Sequence, residues 1–375
     1  MVTTNKARFV DTPGALDEFI RSLDQHDVIA IDTEFVRERT YYPQLCLIQV
    51  AAGDQIWCLD PITIEDTQAL FTALNEPSRL KIFHSGRQDL EIFFNETEQL
   101  PRPVFDTQIA AALLGRPDQI AYAGLVQEFY DCKLDKSSSR TNWAQRPLSA
   151  QQLEYAGDDV RYLEGVKRRL EEELQAKGRE PWLQEECERL TEVQLYVNDP
   201  DMMWQRIKGV ADLDPAEAAR AVKLAAWREI TAQSRNLPRG WVIKDDRLIA
   251  LARANPKSMA NLSLVEGLSP SLVRRHGEEI LDAGRRSSHD RDMDLGPKKQ
   301  KLSSGGKTLL RELADTLSVV ASKYEVSSTL IASRRELESA IGGAQELRLF
   351  DGWRRELFGD LVKQKVAEYS KSRAS

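Results

Sequence analysis

The run Val28-Ile29-Ala30-Ile31 leads directly into Asp32-Thr33-Glu34, and no other feature of the chain restricts its fold as tightly. Consecutive β-branched and small apolar residues read as a strand buried in a layered domain. Side chains alternate along a strand, so Asp32 and Glu34 project from one face at its end. An isolated Asp-x-Glu is usually a polar strand end, and its meaning depends on what else converges there. Two further acids stand in matching contexts. Asp89 lies in Phe83-His84-Ser85-Gly86-Arg87-Gln88-Asp89-Leu90, in the first turn of an expected helix, and Asp159 closes Tyr155-Ala156-Gly157-Asp158-Asp159. On a helix, Tyr155 and Asp159 share a face; Asp158 lies close to the same face, so helical geometry leaves the choice between the two aspartates open.

Roughly the first 110 residues alternate short apolar runs with amphipathic stretches, the pattern of an α/β layer fold. Strands are expected at 28–32, 45–50, 55–59 and 80–83. The second and third are separated only by Ala51-Ala52-Gly53-Asp54, a hairpin-length turn that makes them antiparallel. The strand at 80–83 is reached through a helix and can run parallel, so a mixed sheet is expected. From about Ser149 onward strand-like runs give way to helices interrupted at Pro200, Pro215, Pro238, Pro256 and Pro270. Residues 287–306, rich in charge, Gly, Pro and Ser, read as a linker. The expected organisation is a first domain at 1–170, connecting helices at 171–209, a helical module at 210–286, the linker at 287–306, and a further helical segment at 307–375.

The acids define a chemistry. Phosphodiester hydrolysis needs a water made nucleophilic at neutral pH and a sink for charge on the leaving oxygen, and two divalent ions ~4 Å apart supply both. Hard cations such as Mg²⁺ or Mn²⁺ prefer oxygen ligands, which accounts for carboxylates rather than histidines. Cys46, Cys58, Cys132 and Cys187 are scattered with no Cys-x-x-Cys pair, which argues against zinc and against a disulfide framework. A net charge of −7 is unusual for a phosphate-binding protein. The total includes runs such as Glu171-Glu172-Glu173, which read as solvated helix faces, and the metal-binding acids themselves. No apolar h-region opens the chain and no run approaches ~18 apolar residues, so neither export nor membrane insertion is expected, and the location read from this is cytoplasmic.

Ile31-Asp32-Thr33-Glu34-Phe35, the stretch from Phe83 to Glu91, and Asn142-Trp143-Ala144-Gln145-Arg146-Pro147-Leu148 leading into Tyr155-Ala156-Gly157-Asp158-Asp159 together resemble the proofreading-type 3′→5′ exonucleases of the four-carboxylate superfamily. Within it the likeness is to the bacterial ribonuclease D family. The resemblance implies a ribonuclease-H-like mixed sheet flanked by helices, followed by one or two small all-α domains. It implies Asp32, Glu34, Asp89 and Asp159 as ligands of two divalent ions, with Tyr155 positioning the attacking water. The sister subtype carries a histidine five residues before the last aspartate, where this chain has Glu154. Phe35 and His84 adjoin the metal residues as candidates for stacking on and hydrogen bonding to the terminal nucleotide, and Trp143 and Arg146 are candidates for substrate contact. Each has an ordinary reading too, as core aromatic, satisfied histidine or exposed loop. Arg37, Arg39, Tyr41 and Tyr42 form a basic, aromatic loop of the kind that lines a single strand's path.

The segment running through Trp227-Arg228, Arg235, Asn236-Leu237-Pro238-Arg239-Gly240-Trp241-Val242 and Lys244-Asp245-Asp246, with Arg274-Arg275-His276-Gly277 beyond, resembles the small helical module shared by RecQ helicases and ribonuclease D. Residues 212–286 hold 13 Lys plus Arg against 10 Asp plus Glu, an excess too small to establish nucleic-acid binding without the resemblance. Leu309-Leu310, Leu313, Leu317, Trp353-Arg354 and Leu357 in 307–370 read as a diverged second copy. Gly305-Gly306-Lys307-Thr308 imitates the end of a phosphate-binding loop, but Lys301 stands where the first glycine is required and no apolar strand precedes it, so no nucleoside triphosphate hydrolysis is expected. The function expected is a 3′→5′ exoribonuclease releasing 5′-mononucleotides from precursor tRNA 3′ ends. The alternatives are a DNA exonuclease of repair type and a non-catalytic RNA-binding protein.

Overall fold

The computed structural model describes residues 5–135, 141–285 and 302–374. They form two compact units: one takes the chain up to Val36, Leu45 to Leu195, and the residues from 302 on, and the other takes Arg37 to Gln44 and the stretch beginning at Tyr196.

The first unit is built on strands β1 (Arg8–Val10), β2 (Val28–Val36), β3 (Gln44–Ala52), β4 (Gln55–Leu59), β5 (Leu80–Phe83) and β6 (Val104–Asp106), in the spatial order β1-β4-β3-β2-β5-β6. The β3–β4 hairpin is antiparallel, while β2 pairs parallel with β5 and β5 with β6, so the sheet is mixed as expected. β2 lies inside the sheet and runs four residues past the expected end, which makes Glu34 as well as Asp32 a strand residue. β1 and β6 were not anticipated; at three residues each they are too short to show a period of two.

Helices α1 (Pro13–Leu23), α2 (Thr67–Leu74), α3 (Arg87–Thr97), α4 (Thr107–Leu113), α5 (Tyr122–Tyr130), α6 (Ala150–Arg161), α7 (Leu163–Lys177) and α8 (Glu180–Leu190) flank the sheet. The start of α6 is locally encoded: Ser149 accepts the amide of Gln152 while the Gln152 side chain accepts the amide of Ser149, a capping box. Gly157 then lets α6 lie close on the sheet, where a Cβ would stand 3.2 Å from that of Ala7 and 3.5 Å from Ile56 Cγ2. The expected boundary at 170 falls inside α7, which continues to Lys177.

The second unit holds α9 (Pro215–Ser234), α10 (Arg239–Val242), α11 (Asp245–Ala254), α12 (Met259–Ser263) and α13 (Pro270–Arg285) around a core of Ala221, Leu224, Leu248, Leu251, Leu262 and Ile280. Residues 37–44 belong to it. The Tyr41 ring is buried, its hydroxyl bonds the carboxylate of Glu229, Arg239 Nη2 donates to the same hydroxyl at 2.9 Å, and Asn236 Oδ1 accepts the amides of Tyr41 and Tyr42 at 3.0 Å. Tyr41 is therefore a core residue of the helical unit, not a platform for a ligand; its apolar ring and partnered hydroxyl explain the burial.

Helices α14 (Ser304–Tyr324), α15 (Ser328–Ile331), α16 (Arg334–Ile341), α17 (Gly352–Arg354) and α18 (Asp360–Ala374) complete the first unit. Most of the expected linker, 287–301, lies outside the described residues. Its last residues do not form a linker, because Ser303 caps α14 by accepting the amide of Gly306 and Gly305-Gly306-Lys307-Thr308 lie in the first turns of that helix. Leu309, Leu313, Leu317, Ile331, Leu337 and Phe358 share one hydrophobic core with Leu125, Val166, Leu170 and Leu174. Each such side chain contributes roughly 1.5–3 kcal/mol by leaving water. At this seam Arg354 is fully buried. It makes a bidentate pair with Glu186 of α8, its Nε donates to the carbonyl of Leu330 at 2.6 Å, and Trp353 stacks on Trp182 with centroids 4.8 Å apart.

The path from α9 to α11 repeats in α14 to α16 at a constant displacement of 89 positions. Asp214 and Ser303 are the helix caps, and Asn236 and Glu325 both take left-handed φ, at 49° and 47°. Leu237 N donates to Ala232 O as Val326 N does to Ala321 O. Ile243 N donates to Arg239 O as Ala332 N does to Ser328 O, and Leu248 N to Lys244 O as Leu337 N does to Ser333 O.

Breaking a buried ion pair on one side leaves a desolvated charge, so Arg354→Met is expected to cost about 3–5 kcal/mol, while removing both charges in Glu186→Leu/Arg354→Met restores much of it. Urea midpoints of the three proteins check this; equal losses in the single and double variants would show that the pair itself does not carry the seam.

Candidate active site

Asp32 and Glu34 follow Ala30 in the alternation of β2 and therefore share the face that carries Ala30 into the helical core. α6 crosses this side of the sheet and brings Asp159. One carboxylate oxygen from each of Asp32, Glu34 and Asp159 lies within 4.8 Å of the others. Tyr155, one turn earlier on α6, hydrogen bonds to the Asp159 carboxylate. Asp158 points elsewhere, accepting Arg161 Nε at 2.6 Å, so tertiary packing separates the two aspartates that helical spacing left undecided.

Asp89 enters from α3. That helix starts at Gly86, whose missing Cβ allows an approach in which a methyl group would sit 2.5 Å from the Phe83 Cβ. Asp106 fastens the turn by accepting the amides of Ser85 at 3.3 Å and Gly86 at 2.8 Å, and those of Gln108 and Ile109 at the start of α4. Asp89 is thereby buried beside Asp32, its Oδ1 accepting the Thr33 hydroxyl at 2.5 Å. Thr33 and Asp106 escaped the sequence reading. Asp106 carried a usable signal, an acid in the capping position directly before Thr107-Gln108-Ile109, whereas nothing local marked Thr33.

The acids repel one another. Burial, reinforced by Asp89, Asp159 and Glu34, holds Asp32 well above the ordinary carboxylate range. Burial and the charges of Asp159 and Asp89 push Glu34 up to about 8. Asp159 rises to about 7 and Asp89 to about 6, both chiefly by burial and both held back by hydrogen bonds, from Tyr155 and Thr33 respectively. Burial, with Asp159 adding to it, also raises Tyr155, so its phenol stays protonated. A compact set of oxygen donors that resist being charged together is what a hard divalent cation neutralises, and the donor set fits Mg²⁺ or Mn²⁺.

The other expected site residues take different positions. Phe35 is half-buried next to Glu34 on β2. His84 has both ring nitrogens engaged, Nδ1 with Thr107 Oγ1 and Nε2 with the carbonyl of Ile120, each at 2.9 Å. Arg146 directs its five N–H bonds to Asp60, Cys46 O, Trp143 O and Gln145 O, leaving no donor for a ligand. Trp143 is buried under the site with its ring centroid 6.0 Å from that of Tyr155. His84 and Arg146 thus have their polar groups engaged inside the protein, whereas Trp143 is buried with its indole Nε1 lacking a hydrogen-bond partner.

A family model for the 3′-5′ exonuclease matches residues 7–175, and the HRDC domain model matches 217–283. The ribonuclease D of Zymomonas mobilis is 38% identical over 92% of this chain and 91% of its own length, and that of Escherichia coli is 34% identical over 96% and 99%. The chain belongs to the ribonuclease D family. Its fold agrees: the crystal structure of Escherichia coli ribonuclease D, an exoribonuclease involved in structured RNA processing, superposes with a TM-score of 0.87 over 97% of this chain and all of the other, at 34% identity. This ribonuclease D family member is accordingly an enzyme, a 3′→5′ exoribonuclease. No helix among its described residues is long and apolar enough to cross a membrane.

Raised carboxyl pKa values mean that the metal-free fold is stabilised below the unfolded values near 4, and loses that stability as pH rises through about 6–8 and the acids ionise against one another. In chelator the melting temperature is expected to fall between pH 5 and pH 8.5 by ~3 °C or more. Mg²⁺ or Mn²⁺ should reverse the fall at the alkaline end only. Calorimetric scans with and without metal check this, and a melting temperature indifferent to metal at pH 8.5 would contradict it.

Proposed function

We infer that this enzyme trims the 3′ ends of structured RNA, precursor tRNA in particular, in the cytoplasm and with two divalent ions, Mg²⁺ or Mn²⁺, releasing 5′-mononucleotides. The observation that carries the reading is the convergence of Asp32, Glu34 and Asp159 within 4.8 Å, with Tyr155 bonded to the last. In this reading Asp32, Glu34, Asp89 and Asp159 hold the ions. When bound, the ions supply a hydroxide at neutral pH and a sink for charge on the leaving 3′-oxygen.

The protein's own groups do the rest. Thr33 keeps Asp89 oriented toward Asp32 through its 2.5 Å bond. Tyr155, kept protonated by burial and by Asp159, is not a base, and with its proton directed at Asp159 its hydroxyl oxygen orients the attacking water as an acceptor. Phe35, beside Glu34, is the side chain we assign to stacking on the terminal base. Trp143, held by Arg146 and Asp60, keeps the Tyr155 ring in place from behind.

We read 210–286 as a first HRDC module and 307–375 as a diverged second one. The 89-position repeat of caps, left-handed residues and turn hydrogen bonds supports this reading. The first module adds affinity for RNA, while the second serves as packing on α7 and α8.

The test is gel-resolved digestion of a 5′-labelled, 3′-extended tRNA. Wild type with Mg²⁺ or Mn²⁺ is expected to give a ladder shortening one nucleotide at a time, abolished by chelator and in Asp32→Asn and Asp159→Asn, both of which still bind RNA. Tyr155→Phe is expected to lower kcat roughly 10²-fold with little change in KM. Retained turnover in Asp32→Asn would remove the assigned site, and stronger trimming of a matched DNA would transfer the enzyme to the DNA exonuclease class.

A further inference from the structure

Between the sheet and α6, on the side that carries the carboxylate cluster, two buried polar side chains find no partner inside the protein. Gln49 of β3 is 0% exposed, and neither its Oε1 nor its Nε2 has a hydrogen-bond partner among the described residues. Trp143 is 3% exposed, and its Nε1 is unpartnered in the same way. Buried polar groups are almost always bonded, so an amide and an indole N–H left over on one side of the sheet mark a place where a further polar molecule is expected.

Strand register fixes where Gln49 points. It pairs with Cys58 of β4, and Cys58 Sγ donates to the carbonyl of Leu153 on α6 at 3.9 Å. Residues paired across an antiparallel ladder face the same way, so Gln49 lies under α6. Ala51, next but one along β3, shares a core with Ala30 of β2, so this is also the face of Asp32 and Glu34. β3 is the neighbour of β2, and the loop 37–43 is too short for a parallel crossover, so the two strands are antiparallel. The Cys46 thiol accepts the backbone amide of Val36. Three positions on from Cys46 is Gln49 and three back from Val36 is Thr33, so the residues beside Gln49 on the shared face are Asp32 and Glu34. Trp143 belongs to one small cluster with Leu47, Cys58 and Ala156, against which Tyr155 packs.

We propose that Gln49 is a positioning residue of the active site: together with Trp143 Nε1 it holds internal water beneath the cluster, and this water donates a hydrogen bond to the Asp32 carboxylate. An internal water needs two to four polar partners, and the amide, the indole N–H and the carboxylate supply them. The indole N–H and the amide Nε2 donate to water, which leaves the water hydrogens for the carboxylate and for Gln49 Oε1. A carboxylate steadied in this way from the side away from the solvent keeps its other lone pairs aimed at a bound ion. Removing such a partner of a metal ligand weakens metal binding by about 10–100-fold in other proteins.

The role of Gln49 rests on the reading of Asp32, Glu34, Asp89 and Asp159 as ion ligands. It is tested on the full-length protein without RNA, by titrating Mn²⁺ and following the paramagnetic resonance signal of the free ion, with the melting temperature in chelator as the check on folding. Gln49→Met keeps the length of the side chain without its polar atoms, and Trp143→Phe keeps a ring without the N–H. Gln49→Met is expected to raise the Mn²⁺ Kd roughly tenfold, and Trp143→Phe to raise it in the same direction. Trp57 supplies the control. Its Nε1 is also buried and unpartnered, but on β4 it faces away from Cys58 and packs on Phe19 of α1, ring centroids 5.6 Å apart. Trp57→Phe is expected to leave the Mn²⁺ Kd unchanged. A wild-type Kd in Gln49→Met, or an equal loss in Trp57→Phe, would overturn the assignment. A high-resolution crystal structure of the wild type checks the same point without any variant: ordered water bonded to the Gln49 amide is expected, and a dry amide sinks the proposal. Asp32→Asn is titrated alongside. If it binds Mn²⁺ as the wild type does, the reading of the ligand set fails, whereas loss of binding there with full binding in Gln49→Met removes the role of Gln49 alone.

Discussion

Mutual repulsion among buried carboxylates is the constraint around which the first unit is organised. Asp32, Glu34 and Asp159 stand close together, and burial first, with their mutual repulsion added, raises the pKa values of the acids of the site. Three devices resist the repulsion. β2 is an interior strand and cannot shift without breaking its ladders to two neighbours. α6 is capped at Ser149 and lies close on the sheet at Gly157. α3 is tied through Gly86 to Asp106. Stability given up at the site is supplied by the apolar layers on either side of the sheet, as is usual where strain serves function.

The last seventy or so residues take part in that support, since they share a core with α5 and α7 and pair Arg354 with Glu186. Burying an arginine and a glutamate together gains little over an apolar pair of the same size, but it penalises any other docking of α17 on α8. The stacked Trp182 and Trp353 and the Arg354 guanidinium, 4.4 Å from the Trp353 ring centroid, bring several directional contacts into one small region. Two segments with one local design, α9 to α11 and α14 to α16, thus meet different surroundings. One packs in the core of the second unit, while the other, with leucine and serine at several of the corresponding positions, packs in a core of the first.

Much of the site was legible without coordinates. Asp32, Glu34, Asp89, Tyr155 and Asp159 were all read from local context, because strand alternation and helical spacing are short-range properties that survive in a linear string. His84, Trp143 and Arg146 were read as ligand contacts because polar and aromatic residues near a site look alike in sequence whether they face solvent or the interior. The bond of His84 to Ile120 spans 36 positions and those of Arg146 to Asp60 and Cys46 span 86 and 100, and no local pattern encodes such partners. Tyr41 was misread for the same reason: its ring fills the helical unit beside Glu229, 188 positions away.

The sequence by itself determined the elements and the chemistry. A β-branched run ending in two acids forms a strand that presents both to one side, oxygen donors alone select hard cations, and capping residues start α6 and α14 where they stand. Tertiary structure brought Asp159 rather than Asp158 to Asp32 and Glu34, because the packing of α6 on β2 sets which of two adjacent helical positions faces the strand, while Asp158 pairs with Arg161 in its own helix. It also decided that the C-terminal helices pack into the first unit, because an amphipathic helix specifies that it must bury a face but not against which partner.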